Sequence, residues 1–296
     1  MTSPQLLLKI FKLKAKKDLG QNFLSDPSTA EMILDRAGIL YGHQGNLIEI
    51  GPGLGALTLA ASRRVSSIHA IEADRDLIPV LESEITRAEC TNIHLHQGNF
   101  LKMDLAPFLA EGRSTTIIGN LPYNISSQIL IRILRFRDRI DRGIFMLQAE
   151  MAERMVARPG KKDYGRLSVG MQYCGDIRIL SQVRAHLFYP KPKVNSSVIE
   201  IRFKENPDPA AKDEKLFFDV VRAAFGQRRK TLRNSLSAGI AELDAKGAEN
   251  LLQKAGIDPT RRAETLSVEE FVHLTNTWYA EVQSFAPADD VNDFTE

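Results

Sequence analysis

The sequence predicts an α/β protein: an open sheet with helices on its faces, followed by a smaller all-helical domain. Short apolar runs of strand length recur between segments of helical periodicity. One of those runs feeds a glycine-rich turn and then a helix. Beyond Asn206-Pro207-Asp208-Pro209 the strand-like runs stop and only helical periodicity remains.

In chain order, residues 1–17 carry Lys9, Lys12, Lys14, Lys16 and Lys17 without an acid and read as a basic, partly mobile arm. Leu19-Gly20-Gln21-Asn22-Phe23-Leu24 follows. Two side-chain amides beside a glycine and a phenylalanine suit a segment lying over a ligand, with Phe23 as a lid. A loop pinned to the core by Phe23 and Leu24 explains the same residues equally well. Asp26-Pro27 supplies an N-cap and a first helical residue, and the helix runs to about Gly38.

Asn46 to Ile50 is the first strand. It enters Gly51-Pro52-Gly53-Leu54-Gly55 and then the helical run Ala56 to Ala61, the nucleotide-binding unit of a Rossmann-like sheet. Gly51 and Gly53 allow the backbone to approach a ligand, and the turn exposes amides at the helix start. The second strand, Ser67 to Ile71, ends at Glu72, placed to accept from both hydroxyls of a ribose. The third, Asn92 to His96, leads to Asn99 and Phe100, placed to accept from an adenine amine and to pack on its ring.

The fourth strand, Thr116 to Ile118, stops at Gly119 and is followed by Asn120-Leu121-Pro122-Tyr123. An amide followed at i+3 by an aromatic can hold a planar amine: the amide oxygen accepts and the ring stacks. Pro122 fixes φ and leaves the preceding Leu121 carbonyl free as a second acceptor. Enzymes that methylate exocyclic amines of nucleobases carry motifs of this type. A strand and a proline turn whose Tyr123 merely packs is an equally open reading of this stretch alone. Four strand tips nevertheless each deliver one polar group to one sheet edge: the Gly51 backbone, Glu72, Asn99 and Asn120.

Gly143 to Gln148 is the fifth strand, Ile177 to Val183 the sixth and Ser197 to Phe203 the seventh. Helical runs start at Ser126, Glu150 and Tyr164, with a basic loop, Arg158-Pro159-Gly160-Lys161-Lys162, before the last. The loop Phe188 to Ser196 is stiffened by two prolines and offers aromatics for base stacking beside Lys191 and Lys193 for phosphates. The expected division is a basic arm over 1–17, a sheet domain over 18–205, a helical domain over 206–283 and a disordered tail over 284–296.

Formal net charge is +2, so basic character is local: the first stretch, and Arg228-Arg229-Lys230 in the helical region. Two cysteines, Cys90 and Cys174, have no metal-ligand spacing; no metal is expected, and a reducing compartment is. No apolar run is long enough to span a membrane, and a cytoplasmic protein is expected.

Together, Gly20-Gln21-Asn22-Phe23-Leu24, Glu49 through Gly55, Asn120-Leu121-Pro122-Tyr123, Tyr164 through Val169, Phe188 through Ser196 and Phe225-Gly226-Gln227-Arg228-Arg229-Lys230 resemble the rRNA adenine N6-dimethyltransferases. The type resembled modifies the paired adenines near the 3′ end of small-subunit (16S) rRNA. The resemblance runs from about Lys16 to about Leu236. It implies S-adenosylmethionine as methyl donor, a Rossmann-like seven-stranded methyltransferase sheet and a small all-helical C-terminal domain. Its cofactor positions fall on Asn22, Leu24, Gly51, Glu72, Asn99 and Asn120, with Gly53 beside them in the turn. Catalysis falls on Asn120, Leu121, Pro122, Tyr123 and Phe188, the two rings sandwiching the base. RNA contacts are expected from Lys191, Lys193, Arg228, Arg229 and Lys230. The partner implied is small-subunit rRNA within an assembling subunit, met by a monomer.

The position of Asn99 is usually an aspartate in that family; cofactor binding is expected to survive the change. A nicotinamide-dependent dehydrogenase would share the glycine turn and Glu72 but leaves Asn120 to Tyr123 unexplained. A relative acting on large-subunit rRNA shares the motifs, and Phe225 to Lys230 with the longer helical tail favours the small subunit. A non-catalytic assembly factor would not need an intact Asn120 to Tyr123.

Overall fold

The computed structural model describes residues 1–109 and 115–285. All but the beginning of the expected C-terminal tail lies outside them. The chain opens with α1 (Pro4–Ile10), where Ser3 caps the Leu6 amide and Pro4 starts the helix. β1 (Phe23–Leu24) and α2 (Pro27–Arg36) follow, the latter capped by the Asp26 carboxylate on the Ser28 amide at 3.1 Å. Next come β2 (His43–Ile50), α3 (Ala56–Ser62), β3 (Val65–Glu72), α4 (Ile78–Arg87), β4 (Ile93–Gln97) and β5 (Thr115–Asn120). Then α5 (Ser126–Leu134), β6 (Ile140–Gln148), α6 (Ala149–Val156), α7 (Arg166–Cys174), β7 (Gly175–Val183), β8 (Phe188–Tyr189) and β9 (Ser196–Phe203) complete the sheet region. Four helices end the described chain: α8 (Glu214–Ala224), α9 (Leu232–Gly239), α10 (Ala245–Lys254) and α11 (Val268–Phe285).

Two compact units result. The first holds residues 1–156 and 174–205, the second 157–173 and the chain from 206 on. Residues 157–173, which the sequence reading placed with the sheet, group with the helices. Their side chains explain this: Tyr173 packs on Phe217 in a tilted pair with centroids 4.2 Å apart, and Tyr164 meets the Phe225 ring edge-on. The Gly160 amide donates to the Glu264 carbonyl at 2.7 Å.

The seven strands of the first unit run in the order β4-β3-β2-β5-β6-β9-β7. β4, β3, β2, β5 and β6 are mutually parallel, and β9 is antiparallel to both β6 and β7. Both faces of β5 are covered: its first five residues, Thr115 to Gly119, are all buried, with Ile117 and Ile118 on opposite faces. Chain order reverses between β2 and β5, which opens a crevice beyond their carboxyl ends. Gly119 makes this juncture possible: a Cβ there would lie 2.8 Å from the Ile50 carbonyl oxygen. The core beneath is built from Leu34, Ala61, Ile68, Ile118, Ile144 and Val198.

The first 17 residues are not a mobile arm. Leu7 and Leu8 of α1 pack into a cluster with Phe23, Leu54, Leu77 and Val80, and Phe11, Leu13 and Ala15 lie against it. Thr2 donates from its amide and hydroxyl to the two Glu84 carboxylate oxygens at 3.0 and 2.9 Å. Lysine content suggested a solvated arm, but the apolar residues alternate with the lysines and anchor the segment.

At the antiparallel edge, Glu200 is fully buried on β9. Arg178 donates to it at 2.5 Å, and Arg142 and Arg202 lie at 3.5 and 3.3 Å. Arg142 is itself buried and donates to the Ala37 carbonyl at 2.6 Å. Removing the acid leaves that guanidinium buried without a counter-charge, which costs about 3–5 kcal/mol. Glu200→Gln is therefore expected to lower the unfolding free energy by roughly that amount, read from the midpoint shift in urea at unchanged slope.

Candidate active site

The crevice is walled by the carboxyl ends of the first strands and by the segment Asp18 to Leu24. After β2 the chain turns through Gly51 and Gly53, both with positive φ (65° and 58°). The Gly51 amide donates to the Ile71 carbonyl at 3.0 Å, binding the turn to the tip of β3. Gly53 also faces Phe23, whose ring would stand 3.0 Å from a Cβ, so a larger residue is excluded by space as well as by backbone.

Glu72 completes this cross-tie. One carboxylate oxygen accepts from the Gly53 amide at 3.0 Å and the other from the Asp74 amide at 2.8 Å. Burial pushes its carboxyl above the usual range, against the pull of those amides. Glu72 itself lines the crevice.

Asn99 lines the crevice beyond β4. Its Oδ1 accepts from the Leu101 amide at 2.9 Å and so closes a turn. That commitment leaves Nδ2 as the free pole of the amide, a donor. Phe100 beside it is buried among the lining residues.

The segment Asp18 to Leu24 is held by a network that sequence reasoning did not anticipate. Gln21 Oε1 accepts from the Lys16 amide at 2.8 Å, and Gln21 Nε2 donates to Asp74 at 2.7 Å. Lys16 Nζ reaches Asp74 at 2.6 Å and Asp76 at 2.8 Å. Burial raises the Asp74 carboxyl, but the donors Lys16 and Gln21 outweigh it and hold it below the usual carboxylate range. Gln21 is thus a tie, and it lines the crevice together with Leu24 and with Asn22, whose Nδ2 donates to the Gly20 carbonyl at 3.0 Å.

Asn120, at the end of β5, donates from Nδ2 to the Asn22 carbonyl at 2.8 Å. A carbonyl only accepts, so this bond fixes which way the amide points and leaves Oδ1 as the outward acceptor. Leu121 is buried and its amide donates to the Met146 carbonyl at 3.1 Å; among the described residues no hydrogen bond engages its own carbonyl. Pro122 lines the crevice beside Gly20. The Tyr123 hydroxyl lies 2.7 Å from Ser196 Oγ, which sets the ring. Burial raises that phenol above its ordinary value.

Phe188 differs from expectation. It is 3 % exposed, pairs with Leu24 across the β1–β8 ladder and belongs to the core. Neither its ring nor that of Tyr123 lines the crevice. The sequence shows an aromatic in a proline loop; only the pairing of β8 with β1 shows which way it turns. Lys191 and Lys193 are exposed on either side of the buried Pro192.

Within the second unit, Arg228 donates to the Lys162 carbonyl and lies 3.7 Å from Glu264. This brings the exposed loop Arg158-Pro159-Gly160-Lys161-Lys162 beside the exposed Arg228, Arg229 and Lys230. The loop was legible as basic, but its proximity to the second run was not.

Glu49 is the lining residue that sequence reasoning missed. It is 2 % exposed, and burial pushes its carboxyl up to about 8, helped by the nearby Glu72. Its Oε2 is buried without a hydrogen-bond partner among the described residues. An acid next to the end of an apolar strand was the available signal.

Comparison with known proteins agrees with this architecture. The family model for ribosomal RNA adenine dimethylase matches residues 12–279. A protein of Desulforapulum autotrophicum named ribosomal RNA small subunit methyltransferase A is 47 % identical over 280 residues, 95 % of this chain and 98 % of its own. One of the same name from Shouchella clausii is 40 % identical over 279 residues, 93 % of each chain. Among solved structures, a dimethyladenosine transferase of Plasmodium falciparum superposes with a TM-score of 0.71 at 21 % identity, covering 85 % of this chain and 95 % of that one. The 23S rRNA methyltransferase ErmE superposes with a TM-score of 0.64 at 24 % identity, covering 86 % and 99 %. The glycine turn tied to Glu72, the oriented Asn120 and the extent of these matches lead to one conclusion: the chain belongs to the ribosomal RNA adenine dimethylase family.

Proposed function

We propose that the protein transfers methyl groups from S-adenosylmethionine to N6 of two adjacent adenines in the 3′-terminal hairpin loop of small-subunit rRNA. It does so during assembly of the subunit, as a cytoplasmic monomer. The observation that carries the reading is the fixed direction of the Asn120 amide. The relatives named small subunit methyltransferase A support the choice of substrate.

The crevice suits the cofactor. Glu72 retains acceptors for ribose hydroxyls, the glycine turn exposes backbone, and Asn99 offers a donor where an adenine ring would lie. Glu49 contributes an uncompensated buried carboxyl, a natural counter-charge for a ligand that carries an ammonium and a sulfonium. When bound, the cofactor supplies an electrophilic methyl. The protein's part is positioning. Asn120 Oδ1 and the Leu121 carbonyl accept the two hydrogens of the adenine amine, which draws its nitrogen toward a tetrahedral shape with the lone pair free. No general base is needed before attack. Tyr123 is the ring that stacks on the extruded base, and to do so it leaves Ser196 Oγ and turns toward the crevice. Phe188 backs that wall from the core.

Labelled methyl transfer to under-modified small subunits, with nucleoside analysis, tests the reading. Dimethyladenosine at two adjacent positions is expected; transfer only to large-subunit RNA would refute it. Asn120→Ala should lower turnover by about a hundredfold or more while cofactor affinity changes little in calorimetry. Asn99→Asp keeps an oxygen on the Leu101 amide, and its cofactor affinity should stay within about tenfold of wild type.

Glu49 predicts a pH signature. Its folded-state value of about 8 exceeds the ordinary 4.5, so the folded protein keeps a proton that the unfolded chain has lost. Stability therefore falls as pH rises between those values, by about 1.4 kcal/mol per unit at most, and levels off above. Glu49→Gln should remove this slope in urea titrations across that window. Cofactor binding near neutral pH should release a proton in wild type and not in Glu49→Gln, read from calorimetry in buffers of different ionisation enthalpy.

A further inference from the structure

Lys9, Lys12, Lys14 and Lys17 take no part in the crevice and form no ion pair among the described residues. All four are exposed. Lys16 differs: it turns back onto Asp74 and Asp76 and fastens the segment to the tip of β3. Asp18 is the only acid before Asp26, so the strip carries four uncompensated positive charges in a protein whose formal net charge is +2.

The strip is built. After α1, Lys12 adopts a left-handed φ of 54°, fixed by its own amide on the Lys9 carbonyl and by the Leu13 amide on the Leu8 carbonyl at 2.8 Å. From there Phe11, Leu13 and Ala15 pack inward while Lys12 and Lys14 face outward. A mobile arm would lose conformational freedom on binding, whereas these side chains already stand on an ordered backbone. The strip leads directly into Asp18 to Leu24, the wall of the crevice that orients Asn120.

We propose that Lys9, Lys12, Lys14 and Lys17 form a phosphate-binding rail that holds the RNA backbone beside the crevice. The inference rests on the methyltransferase reading for the identity of the RNA. Its own content is a positively charged, preordered surface on the first unit, built from residues other than Arg228 to Lys230. Such contacts fix register without reading bases. They bring the target adenine to Asn120 while the crevice reads the base.

The test is a quadruple variant, Lys9→Gln, Lys12→Gln, Lys14→Gln and Lys17→Gln, in the full chain. Affinity for naked small-subunit rRNA and for intact small subunits is measured against salt concentration. The slope of log affinity against log salt should become shallower by about 2–3, with affinity about tenfold weaker or more at physiological salt. Melting temperature and S-adenosylmethionine affinity should match wild type, and the corresponding four Lys-to-Arg replacements should restore the slope. An unchanged slope overturns the proposal. So does a loss seen with intact subunits and absent with naked RNA, since the strip would then dock on ribosomal protein. A shallower slope in a protein that methylates only large-subunit RNA upholds the rail and refutes the function reading. Wild-type protein that binds no RNA overturns both.

Discussion

The hydrogen bond from the Asn120 amide nitrogen to the Asn22 carbonyl joins the end of a central strand to a segment from the start of the chain. Without it the Asn120 amide could present either pole to a ligand, since oxygen and nitrogen are nearly equal in size. With it, the acceptor faces out. The direction of one carbonyl therefore decides what the site can hold. That carbonyl is kept in place by Gln21, which grips Asp74, which in turn takes Lys16. Asp74 also donates its amide to Glu72, the acid that secures the glycine turn. The Asn120 end and the Glu72 end of the crevice thus share one chain of bonds.

Charge is distributed in this molecule according to burial. Glu200 sits inside with three arginines around it, a charge-compensated cluster that pins the antiparallel edge. Glu49 sits inside with no cation paired to it among the described residues, and it lines the crevice together with the buried Glu72. Burial raises a carboxyl by penalising its charged form, and only a cation restores that form. Among the described residues, the fold leaves Glu49 and Glu72 without a cation at the crevice and surrounds Glu200, which does not line it, with three.

Basic residues follow a parallel logic at the surface. Lys16 is spent on structure, and the lysines around it are left to solvent on a backbone ordered by Phe11, Leu13 and Ala15. In the second unit Arg228 divides its donors between Glu264 and the Lys162 carbonyl, so it shapes a basic surface as well as contributing to it. A near-neutral protein can hold a polyanion when its positive charge is concentrated on ordered segments.

The sequence by itself determined the local features. Strand–glycine turn–helix at 46–61, the acid at the tip of β3, the Asn120 to Tyr123 motif and the helical C-terminal periodicity each depend on neighbours within a few residues. Backbone propensity and periodicity encode such features directly. Tertiary structure alone decided how the Gln21-Asn22 stretch is held, because the Gln21 side chain meets Asp74 53 residues away and the Asn22 backbone carbonyl accepts from Asn120 98 residues away. It decided that Phe188 turns into the core, since β8 pairs with β1 across most of the first unit. It also decided that residues 157–173 join the helices and that Glu49 is uncompensated. Each of these depends on what sheet order and packing bring alongside a residue, and no window of sequence contains that information.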